Sequence, residues 1–451
     1  MENRQMDLVA ELNNLLKERK MKQLKERLED MNEVDVAAFL EQLPQNKVAM
    51  VFRILAKEQA AEIFSHLDID IQENIIGAIT DREVGKIIEE LYVDDAVDLL
   101  EELPANMVKR VMRSATPETR NLINEYLQYP ENSAGSIMTA EFIDLKKEMN
   151  VRTSFERIRR IGENKEDIYT CFVTSYDRKL EGITSVRDLL LNNSESKIEE
   201  IMNKNIISAV TTDDQEEVAD VISKYDLLSI PVVDHENRLV GIITVDDIID
   251  VIEQEATEDI AKMAAVTPSD KSYMKTSVLD IWKARIPWLL LLMVSATFTG
   301  MIIQSFEKAL AAQVILTAYI PMLMDTGGNS GGQSSATIVR ALSLGDVEFK
   351  DFFKVLWKEV RVAVLCAVTL AVTNFLKLIF LDKRGVEVSL VVCLTLICTV
   401  FFAKVVGCTL PMISKRIGFD PAVMASPFIT TIVDAISLII YFAIATAILR
   451  I

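Results

Sequence analysis

The sequence predicts a multidomain membrane protein: an all-α superhelical N-domain, a tandem pair of α/β units, a connecting helix and a five-helix transmembrane domain. Three observations carry that reading. Apolar residues in 1–130 recur every three or four positions, with no β pattern between them. A strand–turn–strand–helix pattern occurs twice, its leading Ile-Met pairs 64 residues apart. The region 282–451 holds apolar runs long enough to cross a bilayer as helices.

In the N-domain (1–130), Val36, Phe39, Leu40 and Leu43, and again Ile87, Ile88 and Leu91, mark the inward faces of successive helices. LEQLP (40–44) and LEELP (100–104) each close a helical unit with a proline. Taken alone, such a domain fits dimerisation or docking. The charged, amphipathic start MENRQMDLVAELNNLLKERK predicts no signal peptide, so the long N-terminal part is expected in the cytosol.

The repeated units are expected at 131–199 and 200–252. Ile137-Met138 leads to CFVTSYDRKLEGITSVRDLL, and Ile201-Met202 leads to IPVVDHENRLVGIITVDDII. Each has a glycine at the start of its second strand (Gly182, Gly241) and a helix opened by Ser185-x-x-Asp188 or Thr244-x-x-Asp247. These units resemble a tandem pair of CBS domains. In that family the hydroxyl and aspartate of the element often hold an adenosine ribose and phosphate, which would place ATP or AMP on Ser185, Asp188 and Thr244. A helix N-terminus favours phosphate, and the same residues serve equally as N-caps.

A polar connecting helix is expected over 253–281, and the transmembrane domain over 282–451. Its five spans are expected at 286–306, 309–324, roughly 355–381, roughly 388–412 and 421–449. Five spans and a cytosolic N-terminus put the C-terminus outside. Arg340, Lys350, Lys354, Lys358 and Arg361 then fall in a cytosolic loop, as do Lys415 and Arg416; Lys383-Arg384 runs against the rule.

Charge divides the chain as sharply as hydropathy does. Residues 1–270 hold 56 acidic and 31 basic side chains; the remaining 181 residues hold 11 and 17. An acidic soluble part of this kind repels nucleic acid and anionic lipid and attracts cations. Four of the five cysteines lie in apolar runs and none shows CxxC spacing, and His66 and His235 stand alone in polar surroundings. Zinc or copper would find few ligands here, whereas oxygen donors suited to hard cations are plentiful. There is no phosphate-binding G-x-x-x-x-G-K-[ST] run and no paired nucleophile and base, so an enzyme is not expected.

The most informative residue is Asp434, the only charge in the 29-residue stretch 421–449. A carboxylate at that depth costs roughly 2.5–3.5 kcal/mol and normally faces a partner, water or a passing ion. A second unusual stretch is PMLMDTGGNSGGQSSATIVRAL (321–342), where Gly327, Gly328 and their small polar neighbours are expected to break or tighten a helix. Irregular backbone at membrane depth is tolerated where it is buried in protein or lines water. With Asp325 and Asn329 in the same run, a pore lining is expected; close helix packing is the alternative.

Together with FDPAVMASPFITTIVDAISLIIYF, that segment resembles the MgtE family of magnesium channels, and the order of parts along the whole chain matches. The resemblance implies a homodimer in the inner (plasma) membrane with its pore between the subunits. Asp434 would hold Mg2+ in transit, with Asp420 at the cytosolic mouth. Mg2+ suits such a site because it sheds water reluctantly and binds through one or two carboxylates. Some members carry asparagine eight residues before the pore aspartate; this chain has Ser426.

The resemblance also implies cytosolic Mg2+ sites at Glu62, Asp94 and Asp98 in the N-domain, and at Asp214, Glu216, Asp226, Asp247 and Asp250 in the CBS pair. Glu255, Glu258 and Asp259 complete the set at the start of the connector. Residues 211–259 hold 15 acidic and two basic side chains, a pattern that a solvated face would also produce. Repulsion between unscreened carboxylates would loosen the assembly and bound Mg2+ would compact it, closing the channel at high cytosolic magnesium. Two rival readings are a membrane-anchored adenine-nucleotide sensor and an ion-coupled divalent-cation exporter.

Overall fold

The computed structural model describes residues 2–450 apart from 270–272, 275 and 425, with the backbone alone described at 2–7, 57, 58, 164, 309, 426 and 427. The chain divides into two compact units, Met1–Val251 and Ile252–Ile451.

The first unit begins with short helices: α1 (Glu2–Lys17), α2 (Met21–Glu29), α3 (Glu33–Glu41), α4 (Gln45–Phe52), α5 (Lys57–Ser65), α6 (Ile69–Ala78), α7 (Asp81–Glu90), α8 (Val93–Glu102), α9 (Ala105–Ser114) and α10 (Pro117–Tyr126). All but the 16-residue α1 are too short to persist alone. The apolar stripe of one is buried on the helix two places along: α3 on α5, α5 on α7, α7 on α9, α4 on α6, α8 on α10. Local signals set the boundaries. Thr80 and Glu83 form a capping box at α7, and Thr116 with Pro117 opens α10. Pro44 and Pro104, from the two LExLP runs, occupy the N-cap positions of α4 and α9. No helical donor is lost there.

A CBS pair follows. β1 (Phe142–Leu145), β2 (Asp167–Thr174) and β3 (Leu180–Ser185) form one sheet; β4 (Ala209–Val210), β5 (Ser229–Val233) and β6 (Leu239–Thr244) form the other. In both, the first two strands are parallel and the last two antiparallel. The parallel crossovers are α11 (Val151–Ile161) and α14 (Gln215–Tyr225); α12 (Val186–Leu191), α13 (Ile198–Ile201) and α15 (Val245–Met263) complete the units. The repeated Ile-Met and Gly signals explain one another. A Cβ on Gly241 would lie 2.7 Å from the Met138 sulfur, and one on Gly182 would lie 2.6 Å from the Met202 sulfur. Each glycine therefore makes room for the methionine that leads the other half.

The second unit takes in the end of α15 and then α16 (Val278–Ser305), α17 (Glu307–Ala312), α18 (Ile320–Ser343), α19 (Phe352–Leu376), α20 (Val386–Arg416) and α21 (Ser426–Leu449). The expected 253–281 connector is not one helix: α15, which begins at Val245, ends within it at Met263, and α16 begins within it at Val278. Among the described residues, four helices are long and apolar enough to cross a membrane: Val278–Ser305, Phe349–Leu381, Val386–Arg416 and Phe428–Leu449. The expected span at 309–324 is not one of them. It is divided between α17, a 3-10 turn at Val314–Tyr319 and the start of α18. Tyr441 donates its hydroxyl to the Leu316 carbonyl at 2.9 Å, satisfying a backbone group in that turn.

The Gly-rich run brings a second correction. It does not interrupt a helix; all of it lies inside α18. Glycine is a poor helix former, but here packing outweighs propensity. A Cβ on Gly327 would meet Thr399, Val433 and Ser437, one on Gly328 would meet Thr430, and one on Gly407 would lie 2.3 Å from the Gly331 carbonyl oxygen. The glycines let α18 approach α20 and α21 at backbone distance, the small-residue packing that membranes favour.

That contact gives a paired prediction. Gly407→Ala should lower stability in detergent by about 1–3 kcal/mol through overpacking. Gly332→Ala, whose added methyl meets nothing within 4 Å, should be neutral or slightly stabilising. Thermal melting of the two variants side by side tests this; equal melting points would refute it.

Candidate functional site

Three groups of acidic side chains stand out. The largest lies in the first unit. α8 presents Asp94 and Asp95 in its first turn and α15 presents Asp246 and Asp247 in its own. Helix N-termini accept negative charge there, but two such termini converging with Glu166 crowd it. Carboxylate oxygens of Asp94, Glu166 and Asp247 lie within 4.8 Å of one another. Thr244 donates to Asp247 at 2.6 Å and lies 3.2 Å from Glu166. One hydroxyl hydrogen serves only one of these at a time. Oδ1 of Asp94 and Oε2 of Glu166 are buried with no hydrogen-bond partner among the described residues.

Electrostatics record the crowding. Burial, then Glu166, Asp95 and Asp247, push Asp94 well above the usual carboxylate range. Burial and neighbouring charge raise Asp95 and Asp247 to about 6 and Glu166 to about 7. Asp98 reaches the surface at the rim and is raised too, by the protein around it and then by Asp95. In water these acids titrate near about 4. The donor set fits a hard divalent cation. Octahedral Mg2+ with bonds of 2.0–2.1 Å spans about 2.9 Å between adjacent ligand oxygens and about 4.2 Å between opposite ones. To bind the ion directly, at least two of the three oxygen pairs would have to close to about 2.9 Å; a wider spacing up to 4.8 Å suits an ion held through water.

The second group lies in the second unit, where the end of α15 meets the turn between α20 and α21. Lys262 reaches Glu258 at 2.7 Å and Asp420 at 2.6 Å. Asp259 accepts from Ser343 at 3.3 Å and is raised, by burial first and then by Asp420. Met263 packs with Val339 and Ala422.

The third is Asp434, about a third of the way along α21. Its Oδ1 is buried without a hydrogen-bond partner among the described residues. The hydroxyls of Ser437 and Thr399, residues that pack on Gly327, are likewise buried without one. Lys404, the obvious neutralising group, turns elsewhere. It is only 5 % exposed and donates to Ser334 at 3.3 Å, while Ser334 donates to Glu359 at 2.6 Å.

Of the residues singled out in the sequence, Asp94 and Asp247 meet, with Asp98 feeling their neighbour Asp95 from the surface, and Glu258, Asp259 and Asp420 gather around Lys262 and Ser343. Asp214 and Asp226 lie at opposite ends of α14, the first accepting from the Glu216 backbone N–H and the second in a left-handed C-cap. Glu62 and Asp250 are exposed, and Glu216 and Glu255 half-buried. Ser185 and Asp188 are joined in a capping box at α12, whereas Thr244 is given to the acidic cluster. Asp325 and Asn329 lie on an exposed face of α18, while Gly327 and Gly328 face its helix neighbours. The Ser426 side chain lies outside the described residues. Sequence reading missed Asp95 and Glu166. Asp95 was visible as half of an Asp-Asp pair; Glu166 carried no periodic signal.

Comparison with known proteins places these groups in context. A profile for the MgtE intracellular N domain matches residues 31–132, a CBS domain profile matches 198–254, and a profile described as a divalent cation transporter matches 320–444. The chain is 36% identical to the magnesium transporter MgtE of Thermus thermophilus over 98% of this chain and 99% of that one. It is 30% identical to the MgtE of Bacillus subtilis over 98% and 97%. Among solved structures, the soluble part of a magnesium transporter aligns with a TM-score of 0.53 at 31% identity, covering 56% of this chain and 99% of that one. The cytosolic domain of a Mg2+ channel MgtE in complex with ATP aligns with a TM-score of 0.52 at 34% identity, covering 54% and 99%.

The cluster predicts a pH signature. The folded Asp95, Asp247 and Glu166 hold protons that the unfolded chain releases between about pH 4 and their raised values of about 6 to 7. Metal-free stability of the first unit should therefore fall as pH rises through that window and level off above it. Melting of the soluble fragment in a chelator should show this fall. Saturating Mg2+ should raise the melting point much more at pH 7.5 than at pH 5; equal shifts at both would count against a metal site.

Proposed function

Because this chain belongs to the MgtE family of magnesium transporters, we propose that it is a Mg2+ channel: it admits the ion passively and closes when Mg2+ binds on its cytosolic side. The observation that carries this reading is Asp434. A carboxylate oxygen sealed from solvent without a partner, on an otherwise apolar helix, is stable only if something cationic or aqueous visits it. A hydrated Mg2+ fits: the carboxylate can accept hydrogen bonds from its water shell.

The proposed assembly is a homodimer with the ion path between subunits. Asp325 and Asn329 support it, since both are exposed on α18 of a single protomer and lipid is a poor neighbour for a charge. A second subunit across a water-filled path accommodates them. Gly327 and Gly328 then act behind the path, holding α18 in place, with Ser426 and Asp420 towards its mouth. α18 supplies the fifth span: its 24 residues rise about 36 Å at 1.5 Å each. With five spans the acidic N-terminal unit is cytosolic and the C-terminus outside, consistent with the basic loop after α18.

Regulation is assigned first to the cluster of Asp94, Asp95, Asp98, Glu166 and Asp247. Like charges 4 Å apart repel by up to about 4 kcal/mol at an effective dielectric of 20. Without metal that repulsion works against the contact of α8 with the CBS pair; bound Mg2+ reverses it. Glu62, Asp214, Glu216, Asp226, Asp250 and Glu255 are proposed as weaker, outlying sites. An adenine nucleotide, ATP or AMP, is proposed as a modulator at Ser185 and Asp188, following the ATP complex of the similar cytosolic domain. Thr244 suits it less, because phosphates there would face the acidic cluster.

Two measurements test the proposal. Asp434→Asn in reconstituted vesicles should cut Mg2+ flux at least about tenfold, a loss of about 1.4 kcal/mol or more of ion stabilisation, while the dimer still forms on a sizing column. Unaltered flux would remove the assignment. Neutralising Asp94, Glu166 and Asp247 together (to Asn, Gln and Asn) should leave patch currents open at internal Mg2+ that closes the parent; normal closure would remove the sensor.

A further inference from the structure

Lys262 stands where a divalent ion would be expected. Its ammonium lies 2.7 Å from Glu258 and 2.6 Å from Asp420. Mg2+ bonded to both carboxylates would sit 2.0–2.1 Å from each, in the space that the ammonium takes. The contact is sheltered: side-chain exposures are 23 % for Lys262, 31 % for Glu258 and 32 % for Asp420. That sets it apart from ordinary surface pairs, which contribute little.

Several features make the lysine part of a built contact. Glu258 and Lys262 are four residues apart on one face of α15, in the order that helices favour. Lys262 lies in the last turn, where the helix terminus attracts a cation. The neighbouring Met263 is packed against Val339 of α18 and Ala422 of the α20–α21 turn. Asp259 accepts from Ser343 at the end of α18. Beyond the helix, the Thr267 backbone N–H donates to the Ala284 carbonyl of α16 at 3.0 Å. Remove the lysine charge and three carboxylates, Glu258, Asp259 and Asp420, share the place, with only neutral donors, the Ser343 hydroxyl and the Ala422 N–H, against them among the described residues.

We infer that Lys262 is a positioning residue, a tethered cation that docks the end of α15 on the α20–α21 turn without metal and competes with divalent ions for Glu258 and Asp420. The docking follows from the geometry alone. Its consequence for conduction rests on the channel reading: with Asp420 at the pore mouth, the lysine holds part of the closed contact in place even when magnesium is scarce. Mg2+ from the cytosol then adds to that contact through the α8 cluster and does not have to create it at the mouth.

Crosslinking tests the docking separately from transport. In the full-length protein, Met263→Cys with Ala422→Cys is oxidised with copper phenanthroline, each single variant serving as the control for the native cysteines. In EDTA the pair should crosslink readily. Adding Lys262→Met should slow that crosslinking about tenfold, the scale of losing charge-assisted contacts. Lys262→Arg should restore it, and excess Mg2+ should restore it in Lys262→Met by bridging the freed carboxylates. Equal crosslinking of Lys262→Met in EDTA overturns the inference, as does a pair that crosslinks only with Mg2+ when Lys262 is present. Patch recordings at nominally zero internal Mg2+ should show severalfold larger current for Lys262→Met than for the parent or Lys262→Arg. If no variant conducts while the crosslinking pattern holds, the channel reading fails and the tether stands.

Discussion

Carboxylates held closer together than their repulsion favours form the constraint around which this protein is organised. Folding does not relieve it; folding creates it. The N-termini of α8 and α15 bring Asp94, Asp95 and Asp247 together with Glu166, and a single hydroxyl, Thr244, is available to two of them. At the end of α15 the same crowding is met by a lysine. In the membrane-embedded part, Oδ1 of Asp434 has no hydrogen-bond partner among the described residues. Protons, a tethered ammonium and a mobile divalent ion are three ways in which such charge can be neutralised.

The scaffold explains why the groups can be held so tightly. In the CBS pair, Met138 and Met202 each fill the space left by a glycine of the other half, locking the two halves in register and fixing the start of α15. In the membrane domain, Gly331 and Gly407 bring α18 and α20 to backbone contact, and Lys415 caps the end of α18 by donating to the Leu342 carbonyl at 2.9 Å. Lys404, buried one turn from that crossing, is balanced through Ser334 by Glu359. A lysine that might have quenched Asp434 is thereby committed to helix packing.

Much of the fold was legible in the sequence because its signals are periodic or local. Helical spacing in the N-domain, the doubled hairpin pattern with its Ile-Met and Gly marks, and the long apolar runs all state their structure within a short window. The Gly-rich run misled for the same reason. Locally its glycines argue against a helix, but in a bilayer an unpaired backbone group costs more than poor propensity. Four of the five expected spans meet the length and hydropathy of a crossing among the described residues; the one expected at 309–324 does not, being divided between α17, a 3-10 turn and the start of α18.

The sequence by itself determined which chemistry this protein can use: oxygen ligands in quantity, almost no imidazole or paired thiol, and one carboxylate in an apolar stretch. It also determined the order of its domains. Tertiary structure alone decided which carboxylates meet. Glu166 lies far along the chain from both Asp94 and Asp247, and no spacing rule joins them; the contact between α8 and the CBS pair does. Likewise, only packing decided that Lys404 turns to Ser334 and Lys262 to Asp420. Charge type is a property of the residue, whereas charge proximity comes from the fold, and Coulomb energy depends on both.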